Sequence, residues 1–162
     1  MGKEESLAKL GESRRALRRA IEGLSEQEMT QVHVEGVWTV KDVISHIASW
    51  DETLLDPLRR CSAGGGFEVQ VIEDYLAWND EQAARKRDIP LDAMLEESAT
   101  VRRELVALAK GVPDEWWERQ LTFPWGDTGT LAHALSGLAW HEMEHVRTIQ
   151  RWRDGGETEA PG

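Results

Sequence analysis

Apolar residues recur at three- and four-residue steps through most of the chain, the spacing of amphipathic helices. Leu7, Leu10, Leu17 and Ile21 form one such stripe and predict a first helix from about Glu4 to Gly23, where the glycine stops it. A polar loop follows through Val32-His33-Val34-Glu35-Gly36. Thr39-Val40-Lys41-Asp42 then has the form of a capping box, in which hydroxyl and carboxylate satisfy orphan amides reciprocally. Val40, Val43, Ile44, Ile47, Leu54 and Leu58 extend that second helix to about Arg60, with Pro57 expected to kink it or end its regular part.

Gly64-Gly65-Gly66 breaks the chain. A third helix is expected over about Glu68 to Arg87. A fourth starts near Pro90, a residue suited to a first turn, and runs through Leu91, Met94, Val101 and Leu105 to Gly111. Pro113-Asp114-Glu115-Trp116-Trp117 reads as a short connecting helix, and a long final helix spans about Thr130 to Arg153. The alternating stretches near Val32 and Val69 are too brief to predict a sheet. Four long helices and one connector imply an all-α, antiparallel four-helix bundle forming a single domain over 1–153, with a flexible tail over 154–162.

At 162 residues the chain can bury a core without disulfide staples, and its single cysteine, Cys61, forms no internal disulfide. With no apolar leader at the N-terminus and no membrane-length apolar run, a cytoplasmic protein is expected. The net charge of -11 disfavours nucleic acid, and the basic cluster Arg14-Arg15 with Arg18-Arg19 reads as a solvated helix face beside Glu12 and Glu22. Eight tryptophans are many for this length; Trp50, Trp125 and Trp140 are candidate pocket walls, with core packing as the alternative role.

The candidate chemistry lies in the histidines. His141 and His145 stand four apart on the final helix, so both project from one face, and that face carries Leu131, Leu138 and Trp152. Two imidazoles on an inward stripe need partners, and a shared metal satisfies both. His46, beside the apolar face of the second helix, supplies a third ligand. Three histidines leave a coordination position open on a zinc- or nickel-type ion. His33 and His133 are weaker candidates. His141-Glu142-Met143-Glu144-His145 also matches the HExxH pattern of zinc peptidases, in which Glu142 would be the base. No substrate-aligning strand is predicted and no third ligand follows, which disfavours a peptidase. Glu142 then reads as a surface residue or one that orients a ligating imidazole.

The stretch Trp38-Thr39-Val40-Lys41-Asp42 with His46 and Trp50 resembles the second-helix signature of the DinB/YfiT-like superfamily. His141 and His145 resemble its last-helix ligand pair, and Trp78-Asn79-Asp80 is similar to an element of its ClbS-like subgroup. The resemblance spans about residues 5 to 153. It implies a four-helix bundle, often dimeric, in which His46, His141 and His145 hold a divalent metal. It further implies thiol S-transferase or hydrolase chemistry on a small electrophilic substrate, with a low-molecular-weight thiol as a possible cosubstrate. The intact triad argues against carrying over ClbS-like chemistry directly. The alternative is a non-enzymatic protein that binds metal or a stress ligand.

Overall fold

The computed structural model describes residues 1–156, so the part of the expected tail beyond 156 lies outside the described residues. Four long helices form the bundle: α1 (Lys3–Ile21), α3 (Val40–Glu52), α6 (Leu91–Lys110) and α7 (Leu131–Arg153). Shorter helices are α2 (Glu26–Gln31), α4 (Leu55–Ser62) and α5 (Tyr75–Lys86), and a 3-10 helix at Asp114–Glu118 is the expected connector. Among the described residues no helix is long and apolar enough to cross a membrane.

The expected all-α bundle forms, built from two parallel pairs. α1 packs mainly along α7, and α3 mainly along α6. Ser13 bonds Glu142 while Arg153 reaches Ala20, so α1 and α7 run in the same direction. Arg102 bonds both Asp51 and the carbonyl of Leu10, and Arg14 bonds the carbonyl of Ser98. In the pairs 10/102 and 14/98 one number rises as the other falls, which sets α1 antiparallel to α6; the start of α3 shares a cluster with Met94 and its end a cluster with Leu105, so α3 runs with α6 and the two pairs oppose each other. The parallel neighbours α3 and α6 need a long connection, and α4 and α5 fill it.

Several boundaries differ from the sequence reading. The second predicted helix is two, α3 and α4, divided at Thr53–Leu54. Pro57 occupies the first turn of α4, where its missing N–H costs no hydrogen bond, and a continuous helix would drive its ring into the carbonyl of residue 53. The third helix starts at Tyr75, capped by Asp74, so 68–74 is extended chain instead. Ser25-Glu26-Gln27-Glu28 forms a complete capping box and starts α2 inside the predicted loop. Two small antiparallel ribbons also form: β1 (His33–Glu35) with β2 (Trp38–Thr39), and β3 (Leu121–Thr122) with β4 (Thr128–Gly129).

The core is two apolar clusters divided by one polar layer. Leu54, Leu58, Leu105 and Leu135 centre one cluster; Ile44, Ile47, Met94 and Ile149 centre the other. Between them on successive helices lie Ser13 and Arg14, Asp51, Arg102, and Glu142, all buried. The expected solvated face of α1 therefore holds for Arg15, Arg18 and Arg19 but fails for Arg14, which points inward because two carboxylates wait there.

Candidate metal centre

The three histidines named by the sequence meet at the level of the polar layer. The Thr39 hydroxyl accepts from the amide of Asp42 while the Asp42 carboxylate accepts from the amide of Thr39. That box fixes the first residue of α3, and with it the face on which His46, two turns later, projects. α7 starts in the same way, at Thr130, whose hydroxyl accepts from the amide of His133. His141 and His145 then fall on the face turned toward α3, with ring centroids 4.7 Å apart. His46 Nε2 lies 2.9 Å from His141 Nε2, and His145 Nε2 lies 3.1 Å from the same atom. Candidate ligand atoms of all three lie within 4.8 Å of one another.

The donor set suits a divalent cation. Ligand nitrogens about 2.0–2.1 Å from a tetrahedral ion stand about 3.3 Å apart, within a few tenths of the 2.9 and 3.1 Å that separate His141 Nε2 from the other two. The protons point the same way. His145 Nδ1 lies 2.8 Å from Glu35 Oε1, a carboxylate oxygen that can only accept, so Nδ1–H donates there and the tautomer it selects turns an Nε2 lone pair inward. A single Nε2–H on His141 cannot point along both short contacts at once, whereas a cation among three lone pairs satisfies every ring. Burial, the neighbouring His145 and Arg102 push the His141 pKa down to about 3, so this ring is neutral, the form that ligates.

Glu35 is the residue that sequence reasoning missed. Its ribbon carries an irregular register between His33 and Glu35, and Gly36 turns the chain with φ 57. The bulge breaks simple alternation, so Val34 and Glu35 are both buried while His33 is exposed. A carboxylate on the far nitrogen of a ligating imidazole fixes its tautomer and raises its basicity. Three buried acidic residues thus share this level of the bundle, Glu35 serving His145 while Asp51 and Glu142 serve arginines. Trp38 completes the wall, its ring 4.6 Å from that of His46.

Glu142 is neither at the surface nor available as a base. It is fully buried and turned away from the imidazoles, accepting from Ser13 Oγ, from Arg14 Nε at 2.8 Å and from Arg102 Nη1 at 2.9 Å. Burial raises the pKa of such a group, but Arg102, Arg14 and Ser13 outweigh it and hold the carboxyl below its usual range. Asp51 sits opposite, accepting from Arg102 Nε at 2.9 Å; there burial dominates and raises its pKa. His33 and His133 are exposed and lie outside the cluster, His133 being engaged with the Thr130 cap.

A cavity of about 370 Å³ opens onto His141. Trp50, Trp125 and Trp140 all line it, as the sequence suggested, and Tyr75, Asn79 and Asp127 complete the polar and aromatic wall. Trp50 is buried, stacked at 4.5 Å on Trp78, whereas Trp140 is 65% exposed at the rim.

Comparison with known proteins places this arrangement. A protein of Oceanobacillus iheyensis, described provisionally as a metal-dependent hydrolase, is 20% identical over 132 residues, covering 80% of this chain and 73% of that one. YfiT from Bacillus subtilis, likewise described with reservation as a metal-dependent hydrolase, superposes with a TM-score of 0.69 at 20% identity, over 96% of this chain and 89% of that one. The mycothiol-dependent maleylpyruvate isomerase superposes at 0.77 with 15% identity; the match covers 92% of this chain but only 61% of the isomerase. These likenesses between structures establish the fold. The sequence model of the DinB superfamily matches residues 9–149, and with its bundle and three-histidine cluster the chain belongs to that superfamily.

Proposed function

We propose that this protein is a metal-dependent enzyme that activates a nucleophile, water or a thiol, against a small electrophilic substrate. One observation carries the reading: three imidazole Nε2 atoms meet, two of them 2.9 and 3.1 Å from the third, and the ring that carries the third, His141, lines an aromatic cavity large enough for a small molecule. His46, His141 and His145 would hold the ion. A divalent ion in such a site supplies Lewis acidity and lowers the pKa of a water or thiol at its open position. The chain's own contribution is orientation and exclusion. Glu35 keeps the His145 lone pair directed inward, Trp38 supports the His46 ring, and the tryptophan walls keep bulk water from the reacting face. The cavity wall includes no lysine or arginine to receive the carboxylates of an anionic thiol, which favours water as the nucleophile.

The test begins with metal content of protein purified without an affinity metal. One equivalent is expected in wild type, with loss in His46→Ala and in His145→Ala. Stoichiometric metal in both single variants would remove the triad assignment. Hydrolysis of activated esters and amides, and conjugation of electrophiles with a panel of thiols, are then compared in metal-loaded and metal-free protein. Equal rates in the two forms would refute the enzyme reading.

A further inference from the structure

Asn79 contributes the only side-chain amide among the described residues lining the cavity beside His141, whose other polar groups are the indoles of Trp50, Trp125 and Trp140, the Tyr75 phenol, the imidazole and the Asp127 carboxylate. Asn79 is the one buried residue of α5, at 5% exposure, on a helix that is otherwise largely exposed. Its orientation is fixed. Trp50 Nε1 donates to Asn79 Oδ1 at 2.9 Å, and an indole nitrogen can only donate. The amide oxygen must therefore face the indole. What remains for the cavity is the amide NH2, a donor pair held in place by a tryptophan that is itself pinned against Trp78. Around it stand the rings of Trp50, Trp125, Trp140 and Tyr75. Among the described lining residues the one formal charge is the carboxylate of Asp127.

We propose that Asn79 is a substrate-recognition residue: its NH2 donates to a neutral acceptor, a carbonyl oxygen or its equivalent, on a planar, uncharged substrate held between the tryptophans. The physical reasons are separable. Flat apolar walls favour a planar body. A fixed donor rejects a ligand that leaves it unpaired. Asp127, together with the absence of any lysine or arginine from the lining, disfavours an anionic body. The inference rests on the reading of this cavity as the substrate site, yet its test does not depend on turnover or on metal.

Isothermal titration of the full-length protein, metal-free and metal-loaded, with three matched probes reads each part. The probes are 2-acetylnaphthalene, 2-ethylnaphthalene and 2-naphthoate. In metal-free protein the ketone is expected to bind roughly two- to tenfold tighter than the hydrocarbon, the range of one net neutral hydrogen bond, and the carboxylate more weakly than the ketone. Asn79→Asp keeps an oxygen for Trp50 but replaces the donor with an acceptor. The preference for ketone over hydrocarbon should vanish in it. Circular dichroism confirms that the variant is folded, and the wild-type comparison stands without it. Equal binding of ketone and hydrocarbon by wild type overturns the proposal, as does a preference that survives in Asn79→Asp, or naphthoate binding to metal-free protein as tightly as the ketone. Metal analysis of the same samples separates the two readings. Absent metal with the ketone preference intact would remove the metal-enzyme function and leave Asn79 recognition standing.

Discussion

Glu142→Gln is the sharpest perturbation of the polar layer, because it removes charge and almost nothing else. The layer balances two guanidinium groups, Arg14 and Arg102, against two carboxylates, Asp51 and Glu142, every one of them less than a tenth exposed. Glu142 takes three hydrogen bonds, two of them from guanidinium nitrogens. In the glutamine variant Asp51 alone faces both arginines, and Arg14 lies 3.7 Å from it, longer than a direct hydrogen bond. One buried cation is then uncompensated, which costs about 3–5 kcal/mol, against a total stability of about 5–15 kcal/mol for a domain of this kind. Urea denaturation followed by circular dichroism at neutral pH should show the midpoint falling with little change in slope. Adding Arg14→Met removes the surplus cation and leaves the Arg102–Asp51 pair intact. Part of the loss should return, with a coupling of about 1 kcal/mol or more between the two sites. A glutamine variant within about 1 kcal/mol of wild type, or a double variant that loses the sum of the two single effects, would refute the account of a charge-balanced layer. The glutamine variant should also retain its metal, since the carboxylate faces the arginines and not the imidazoles.

Two further outcomes follow from the site. Glu35→Ala leaves the outer nitrogen of His145 without its acceptor, so metal affinity should fall by about 10–100-fold in competition with a chromogenic chelator; an unchanged affinity would show that the 2.8 Å contact does not orient the ring. The neutral His141 makes metal-free protein sensitive to acid. Its folded pKa of about 3 lies below its ordinary value of 6.5, so between these pH values the unfolded chain binds more protons than the folded one. Stability is fully present above pH 6.5 and declines as the pH falls toward 3, by up to about 1.4 kcal/mol per pH unit from this group. Thermal melts from pH 7 to 4 should show the decline, and His141→Gln should flatten it. An equal slope in that variant would assign the acid sensitivity elsewhere.

The helices were legible wherever local chemistry decides them. The Thr39 box, the Pro90 start, the Gly111 stop and the leucine stripes act over a few residues, and the structure follows them closely. The Ser25 box is equally local, but the six-residue helix it starts is too short to show an apolar period. The break at Thr53 was half visible, since Pro57 marks the trouble but not the residue at which the chain turns.

For the site, spacing on one helix determined that His141 and His145 share a face, because a turn of helix repeats every 3.6 residues. That His46 joins them depends on which helices neighbour one another, and the parallel pairing of α1 with α7 and of α3 with α6 is a property of the packed bundle, absent from any local pattern. The same holds for Glu35 and Glu142. One lies in a ribbon two residues from an exposed histidine yet closes on His145, because a bulge turns it inward. The other lies inside a peptidase-like motif, yet two arginines from α1 and α6 claim it. Sequence alone determined the helices and the metal-type face. The tertiary structure decided which carboxylate serves the histidines and which balances buried charge, because a buried ionised group takes its role from whatever packing brings within hydrogen-bonding distance.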